Sequence, residues 1–187
     1  YELLLPTVID RIPSAGEMVN VPPGYPLQQT PIASFLTQLI ALQTDGFSLK
    51  ESRYKLAFIE RVLRHPYAKF VSPLATDLLA RLIAAKRFYI SREDLSEDEG
   101  LHLIFLELPN GPLGEVDALQ LTEWLAEVTR SVAMGGPNGK APLFQESVFR
   151  MFTTLQQLAK LIADGDLDAD LTILRRLITP LVGATSV

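Results

Sequence analysis

The stretch Met18–Leu42, MVNVPPGYPLQQTPIASFLTQLIAL, sets the expectation for the fold. Met18, Val19 and Val21 alternate as in a short strand, and Pro22 and Pro23 end it because neither can donate to a ladder. Gly24-Tyr25-Pro26 reads as a turn. Thr30 and Pro31 then take the N-cap and first helical positions of a helix. Its Ile32, Phe35, Leu36, Leu39 and Ile40 fall on one face at helical spacing. Strand, turn and amphipathic helix follow one another, and helical periodicity dominates what comes after.

Downstream, Ser48 with Glu51 three residues later has the form of a capping box. It predicts a helix through Leu49, Leu56, Ile59, Val62 and Leu63 that stops at His65, because Pro66 disfavours helical geometry in the residue before it. Pro73 opens a third helix carrying Leu74, Leu78, Leu79, Leu82, Ile83 and Ala85, with Asp77 and Arg81 as an exposed pair four residues apart. Phe88-Tyr89-Ile90 is a short extended run, and Ser91 caps a brief turn. The acidic stretch Glu93–Glu99 reads as solvated surface. Leu101, Ile104, Phe105 and Leu108 suggest a modest helix, and Leu121, Trp124, Leu125, Val128 and Val132 a longer one. GGPNGKAP, residues 135–142, is a flexible connection and the expected site of proteolytic nicking. The longest helix should run from about Leu143 to Asp164, with Phe144, Val148, Met151, Phe152, Leu155, Leu158 and Ile162 inward and Gly165 at the C′ position. Asp168 or Asp170 caps a last helix with Leu174, Leu177, Ile178 and Leu181 inward. The expected class is mainly α: a single domain of six or seven helices, with at most one or two short strands near the N-terminus.

VNVPPGYPLQQTP followed by a helix resembles a stretch of AddB-type, UvrD-like helicase-nuclease proteins of Bacteroidetes, chains that also carry a PD-(D/E)XK nuclease domain. The likeness returns at Leu63-Arg64-His65-Pro66-Tyr67, at Phe144-Gln145-Glu146-Ser147-Val148-Phe149 and at Leu174-Arg175-Arg176-Leu177-Ile178. It covers most of the chain apart from residues 88 to 142, and its turn falls on Gly24, Tyr25, Pro26 and Leu27. The resemblance implies the helical insertion in the second RecA-like half of such a protein. Residues 1–30 would be an N-terminal arm and 31–187 the helical domain of an excised fragment. It implies DNA double-strand-break processing in the cytoplasm, with DNA and a helicase-nuclease partner subunit as partners. Any ATP hydrolysis or strand cleavage would lie in the parent, outside these residues.

Composition sets the bounds. The 187 residues suffice for one substantial core. Without cysteine there is no disulfide, thiolate nucleophile or Cys-ligated zinc. No apolar stretch reaches the length of a membrane span. The net charge of −5 predicts weak DNA binding by the chain as a whole, because affinity rests on neutralised phosphates.

The chemical motifs fail in detail. A phosphate-binding loop at GGPNGK would need glycine where Met134 stands and Ser or Thr where Ala141 stands. A calcium loop starting at Asp164 would need glycine at Ala169 and glutamate at Arg175. His65 and His102 lie on different helices with no carboxylate at ligand spacing, and no serine lies in a nucleophile elbow. Trp124 with Phe144, Phe149 and Phe152 has the spacing of a packed core rather than a ligand pocket. No catalytic residue, metal ligand or cofactor site is assigned.

One cluster stands out. Arg53, Lys55, Arg61, Arg64, His65 and Lys69 concentrate in one helix and its flanks, with Lys86 and Arg87 as further members. On a shared face they would offer a local positive potential to a DNA backbone even on an acidic domain. Against this stands an ordinary solvated face neutralised by Glu51 and Glu60. The reading of a different class is a stand-alone interaction module that receives a partner helix in an apolar groove.

Overall fold

The computed structural model describes residue 27 and residues 30–108, 117–137 and 141–167. The strand expected at Val19–Val21, the turn at Gly24, Tyr25 and Pro26 and the last helix lie outside them. Helix α1, Pro31–Ala41, starts where Thr30 and Pro31 place it and buries Ile32, Phe35, Leu36, Leu39 and Ile40. Thr30 is the N-cap by backbone geometry alone. Its hydroxyl donates to the Leu27 carbonyl at 2.5 Å instead of accepting from a helical N–H, which ties the buried Leu27 to the helix start. The helix continues into a π-helical segment, Leu42–Gly46.

Here the structure departs from the sequence reading. Ser48 and Glu51 do not open a helix. β1, Phe47–Ser48, and β2, Arg53–Lys55, form a hairpin, with Phe47 opposite Tyr54 and Ser48 opposite Arg53. The Glu51 N–H does donate to the Ser48 hydroxyl, at 3.4 Å, but inside the hairpin turn. That local bond serves a turn as readily as a helix start. Helix α2, Leu56–Arg64, therefore begins after Lys55, and Leu49 stands 58% exposed instead of packing inward. Short helices α3, Ala68–Val71, and α4, Ala75–Ala85, follow. β3, Tyr89–Ile90, then pairs antiparallel with β2, so the sheet order is β1-β2-β3. Strands thus also sit in the middle of the chain, beyond the N-terminal region of the expected class: β3 falls on the extended run expected at Phe88-Tyr89-Ile90, and the hairpin falls where a helix is expected.

Helix α5, Glu99–Ile104, is capped by Asp98, whose carboxylate accepts from the Leu101 N–H at 2.7 Å and from the Ser72 hydroxyl at 2.6 Å. The acidic side chains of the stretch before it are exposed, as expected, and two of its carboxylates carry surface ion pairs. Glu97 pairs with Arg81 at 2.5 Å and Asp94 with Arg87 at 3.0 Å. Arg81 thus reaches across to Glu97, and what it takes from Asp77 is a backbone carbonyl at 3.4 Å rather than the expected carboxylate. Helices α6, Ala118–Gly135, and α7, Pro142–Ala163, form the long pair. The described residues contain these seven α-helices and the three short strands, a mainly α fold.

One buried apolar cluster runs through all of it, from Leu27 and α1 to Leu158 on α7. Four aromatic residues gather around His65. The imidazole lies on Phe35 at 4.9 Å, and Tyr67 meets His65 at 5.4 Å and Phe144 at 5.3 Å, with Phe70 against both Tyr67 and Phe144. α3 comes close enough to the end of α6 that a Cβ on Gly135 would stand 1.8 Å from the Phe70 carbonyl oxygen, so no side chain fits. Buried polar groups are matched at the sheet. Tyr54 is fully buried, its hydroxyl donating toward the carbonyls of Phe105 and Leu106 at 3.3 Å, and Gln43 Nε2 donates to the Leu106 carbonyl at 2.8 Å.

Candidate functional site

The six basic positions divide into two groups. Lys55 and Arg61 converge on one aromatic ring: Lys55 Nζ lies 5.8 Å and Arg61 Cζ 5.3 Å from the centroid of Phe58. Cation–π contacts at such exposed positions are worth about 0.5–1 kcal/mol each. Lys55 is also held by the Asp45 carbonyl at 2.8 Å. Phe58 itself is seated because Gly46 has no side chain; a Cβ there would stand 2.8 Å from the Phe58 Cβ. Arg53 is two residues before Lys55 on β2 and exposed, so both side chains leave the sheet on the face opposite the buried Tyr54. Tyr89 stands directly across from Lys55 and is 43% exposed. The sheet and α2 thus hold Lys55 and Arg61 on the Phe58 ring, with Arg53 on the same sheet face as Lys55, and Tyr89 across from Lys55.

The other three are engaged elsewhere. Arg64 pairs with Glu60 one helical turn back at 2.6 Å. His65 turns inward: its Nδ1 accepts from the Tyr67 N–H at 3.2 Å, its ring stacks on Phe35, and burial lowers its pKa. A neutral, half-buried imidazole offers no charge to a phosphate. Lys69 lies on α3 with its ammonium 5.4 Å from the Phe70 centroid, apart from the Phe58 group. Of the two outlying cations, Arg87 is paired with Asp94, and Lys86 ends α4 in a left-handed conformation with φ 51°. The sequence reading assigns neither Phe58 nor Tyr89 to the site. The first is legible as an aromatic three residues before Arg61, the second only once β2 and β3 are paired.

A second concavity lies between α6 and α7. Leu103 and Leu106, with Trp124, Phe152, Ala159 and Ala163, form an apolar floor, and Glu123, Glu127, Arg130, Gln156 and Lys160 edge it. Its volume is about 610 Å³. Trp124 belongs to the core as well as to this floor, being 3% exposed with its indole N–H donating to the Leu103 carbonyl at 2.7 Å. Phe144 joins the ring stack, Phe152 faces the groove, and Phe149 is exposed, so the aromatic residues of α7 do not form one pocket.

No family model, curated protein or solved structure matches this chain. The chemistry must be judged from the residues themselves. Among the described residues no three His, Asp or Glu side chains are grouped to hold a metal ion. His102 contacts the guanidinium of Arg92 at 3.2 Å, and His65 packs among rings, so the two histidines have separate settings. No described helix is long and apolar enough to cross a membrane.

Proposed function

We propose that this chain is a non-catalytic helical domain that contacts the DNA backbone, and that it serves a helicase-nuclease-like protein of DNA double-strand-break repair. Such a domain guides the duplex or docks the partner subunit, in the cytoplasm. The observation that carries the DNA contact is the convergence of Lys55 and Arg61 on Phe58 beside Arg53 and Tyr89. Held cations position phosphates, and the exposed Tyr89 ring offers a face to an unstacked base at a fork. The repair setting is supported by the sequence resemblance. Any hydrolytic chemistry belongs to other parts of the parent protein.

The experiment is fluorescence anisotropy with a forked duplex, titrating salt from about 25 to 200 mM, over which phosphate-based binding weakens steeply. The Lys55→Glu, Arg61→Glu double variant should bind about tenfold or more weakly at low salt, and its salt slope should be shallower by roughly one for each phosphate it no longer neutralises. Arg64→Glu, which breaks an ion pair away from the Phe58 group, should change affinity much less. Equal binding by the double variant and the parent sequence overturns the assignment. The interaction-module reading is favoured by a separate observation, the apolar groove between α6 and α7. Its test is the occupant of that groove.

A further inference from the structure

Pairing in the small sheet decides what its two faces carry. Phe47 stands opposite Tyr54 and Tyr54 opposite Ile90, whereas Ser48 stands opposite Arg53 and Lys55 opposite Tyr89. Paired residues point to the same side of an antiparallel ladder, and successive residues to opposite sides. Phe47, Tyr54 and Ile90 therefore form the inner face, with Tyr54 and Ile90 fully buried, and Ser48, Arg53, Lys55 and Tyr89 form the outer one. An outer face of this kind is ordinarily polar. Here it holds the exposed Tyr89 ring. The residue before it, Phe88, is 83% exposed, more than any other large apolar residue described. Its backbone is held, because the Phe88 carbonyl accepts from the Leu56 N–H at 2.9 Å and continues the β2–β3 pairing by one bond.

The charge around the two rings has the sign that suits a phosphate. Arg53 and Lys86 are exposed and enter no ion pair among the described residues. Lys55 holds a backbone carbonyl and the face of Phe58. Of the carboxylates near in sequence, Asp94 is engaged by Arg87, and Glu51 stands in the hairpin turn. Cations alone would favour a duplex, whose phosphates are denser than those of a single strand. Rings select differently. Bases in a duplex cover one another's faces, so a protein ring has nothing to stack on. Bases of a single strand have free faces, and stacking an aromatic side chain on one strengthens binding about fivefold to a hundredfold, whatever the base. Lys55 and Tyr89 are directly paired, with their Cβ atoms about 5 Å apart. A phosphate at the ammonium and a base at the ring then fall within reach of one nucleotide.

We propose that the outer face of this sheet binds single-stranded DNA in preference to duplex, with one base on Tyr89, a second on Phe88, and phosphates on Lys55 and Arg53. The inference rests on the DNA reading above and narrows it to strand type. The test uses the full chain and fluorescence anisotropy at one low salt concentration, with a labelled oligothymidylate of about 15 nucleotides and a blunt duplex of equal length. The parent sequence should bind the single strand about tenfold or more tightly than the duplex. Phe88→Ser with Tyr89→Thr removes both rings and keeps a strand-forming residue in β3. It should lower the ratio of single-strand to duplex affinity by about tenfold or more. Tyr89→Phe retains a stacking face and should keep that ratio within about twofold. Lys55→Glu with Arg61→Glu should instead weaken both DNAs together. Phe88 lies outside the core, so Phe88→Ser alone serves if the double ring variant unfolds: it should lower the ratio severalfold, and an unaltered ratio overturns the proposal. Equal affinity of the parent sequence for the two DNAs, or an equal loss on both when the rings are removed, overturns the strand preference and leaves the backbone contact standing. Binding of neither DNA overturns both.

Discussion

At the residue scale, His65 shows how a correct stop signal concealed a different role. Pro66 ends α2 as the sequence requires, yet the histidine it leaves at the helix end faces Phe35 and Tyr67 instead of solvent. Burial holds its pKa below the usual imidazole value, and its Nδ1 is an acceptor, a role that protonation removes. The folded state therefore binds this proton less readily than the unfolded chain. Its contribution to stability is full above the ordinary value of about 6.5 and is lost as pH falls below that toward the depressed folded value. Thermal unfolding measured between pH 7.5 and 5 should show the His65→Gln variant with a smaller fall in Tm than the parent sequence. Tyr54 has the opposite sign. Burial pushes its phenol up to about 12, so its stabilising contribution is complete below the ordinary value of 10.0 and is lost as pH rises toward the shifted one. Tyr54→Phe should cost about 1–2 kcal/mol near neutral pH by denaturant titration, for the bonds to Phe105 and Leu106, and should flatten the alkaline limb. Neither environment is visible in the sequence. Both depend on residues far along the chain, Phe35 for one and Phe105 for the other.

At the element scale, long periodic segments are legible in the sequence and short ones only in part: β3 falls on the extended run Phe88-Tyr89-Ile90 and α5 on the expected modest helix, whereas the hairpin and α3 are not foreseen. α1, α6 and α7 lie where their apolar spacing places them because each buries a continuous stripe. The hairpin at 47–55 is hidden by Ser48 and Glu51, whose local hydrogen bond is the same in a turn and at a helix start. α3 escapes detection because four residues hold too little period. Its placement depends on Gly135, where even one carbon would collide with the Phe70 carbonyl. Gly135→Ala should therefore destabilise by about 2–4 kcal/mol despite the better helix propensity of alanine, since backbone rather than a flexible side chain must move. Chemical denaturation reads this directly; a gain in stability would show that α3 does not approach α6 so closely. The basic cluster is half legible. Two of its six members meet at Phe58, Arg53 shares a sheet face with one of them, and the other three are engaged elsewhere.

At the scale of the whole molecule, one apolar cluster joins α1 to α7, so the described residues should unfold as one unit. Ile59→Ala on α2 and Leu125→Ala on α6, both fully buried and on separate helices, should each cost about 2–5 kcal/mol. Both should move the same single transition, with circular dichroism and Trp124 fluorescence coincident. Two separated transitions would divide the chain into independent parts. The rings of Phe35, His65, Tyr67, Phe70 and Phe144 bring together α1, the α2 end, α3 and α7, and that meeting exists only when all four segments have docked. Stacked rings displace the magnetic resonances of the hydrogens lying over their faces. The protein thereby carries an unlabelled marker of complete assembly: upfield-shifted signals that stay silent while helices form singly and emerge in the proton spectrum at the moment the last of them arrives.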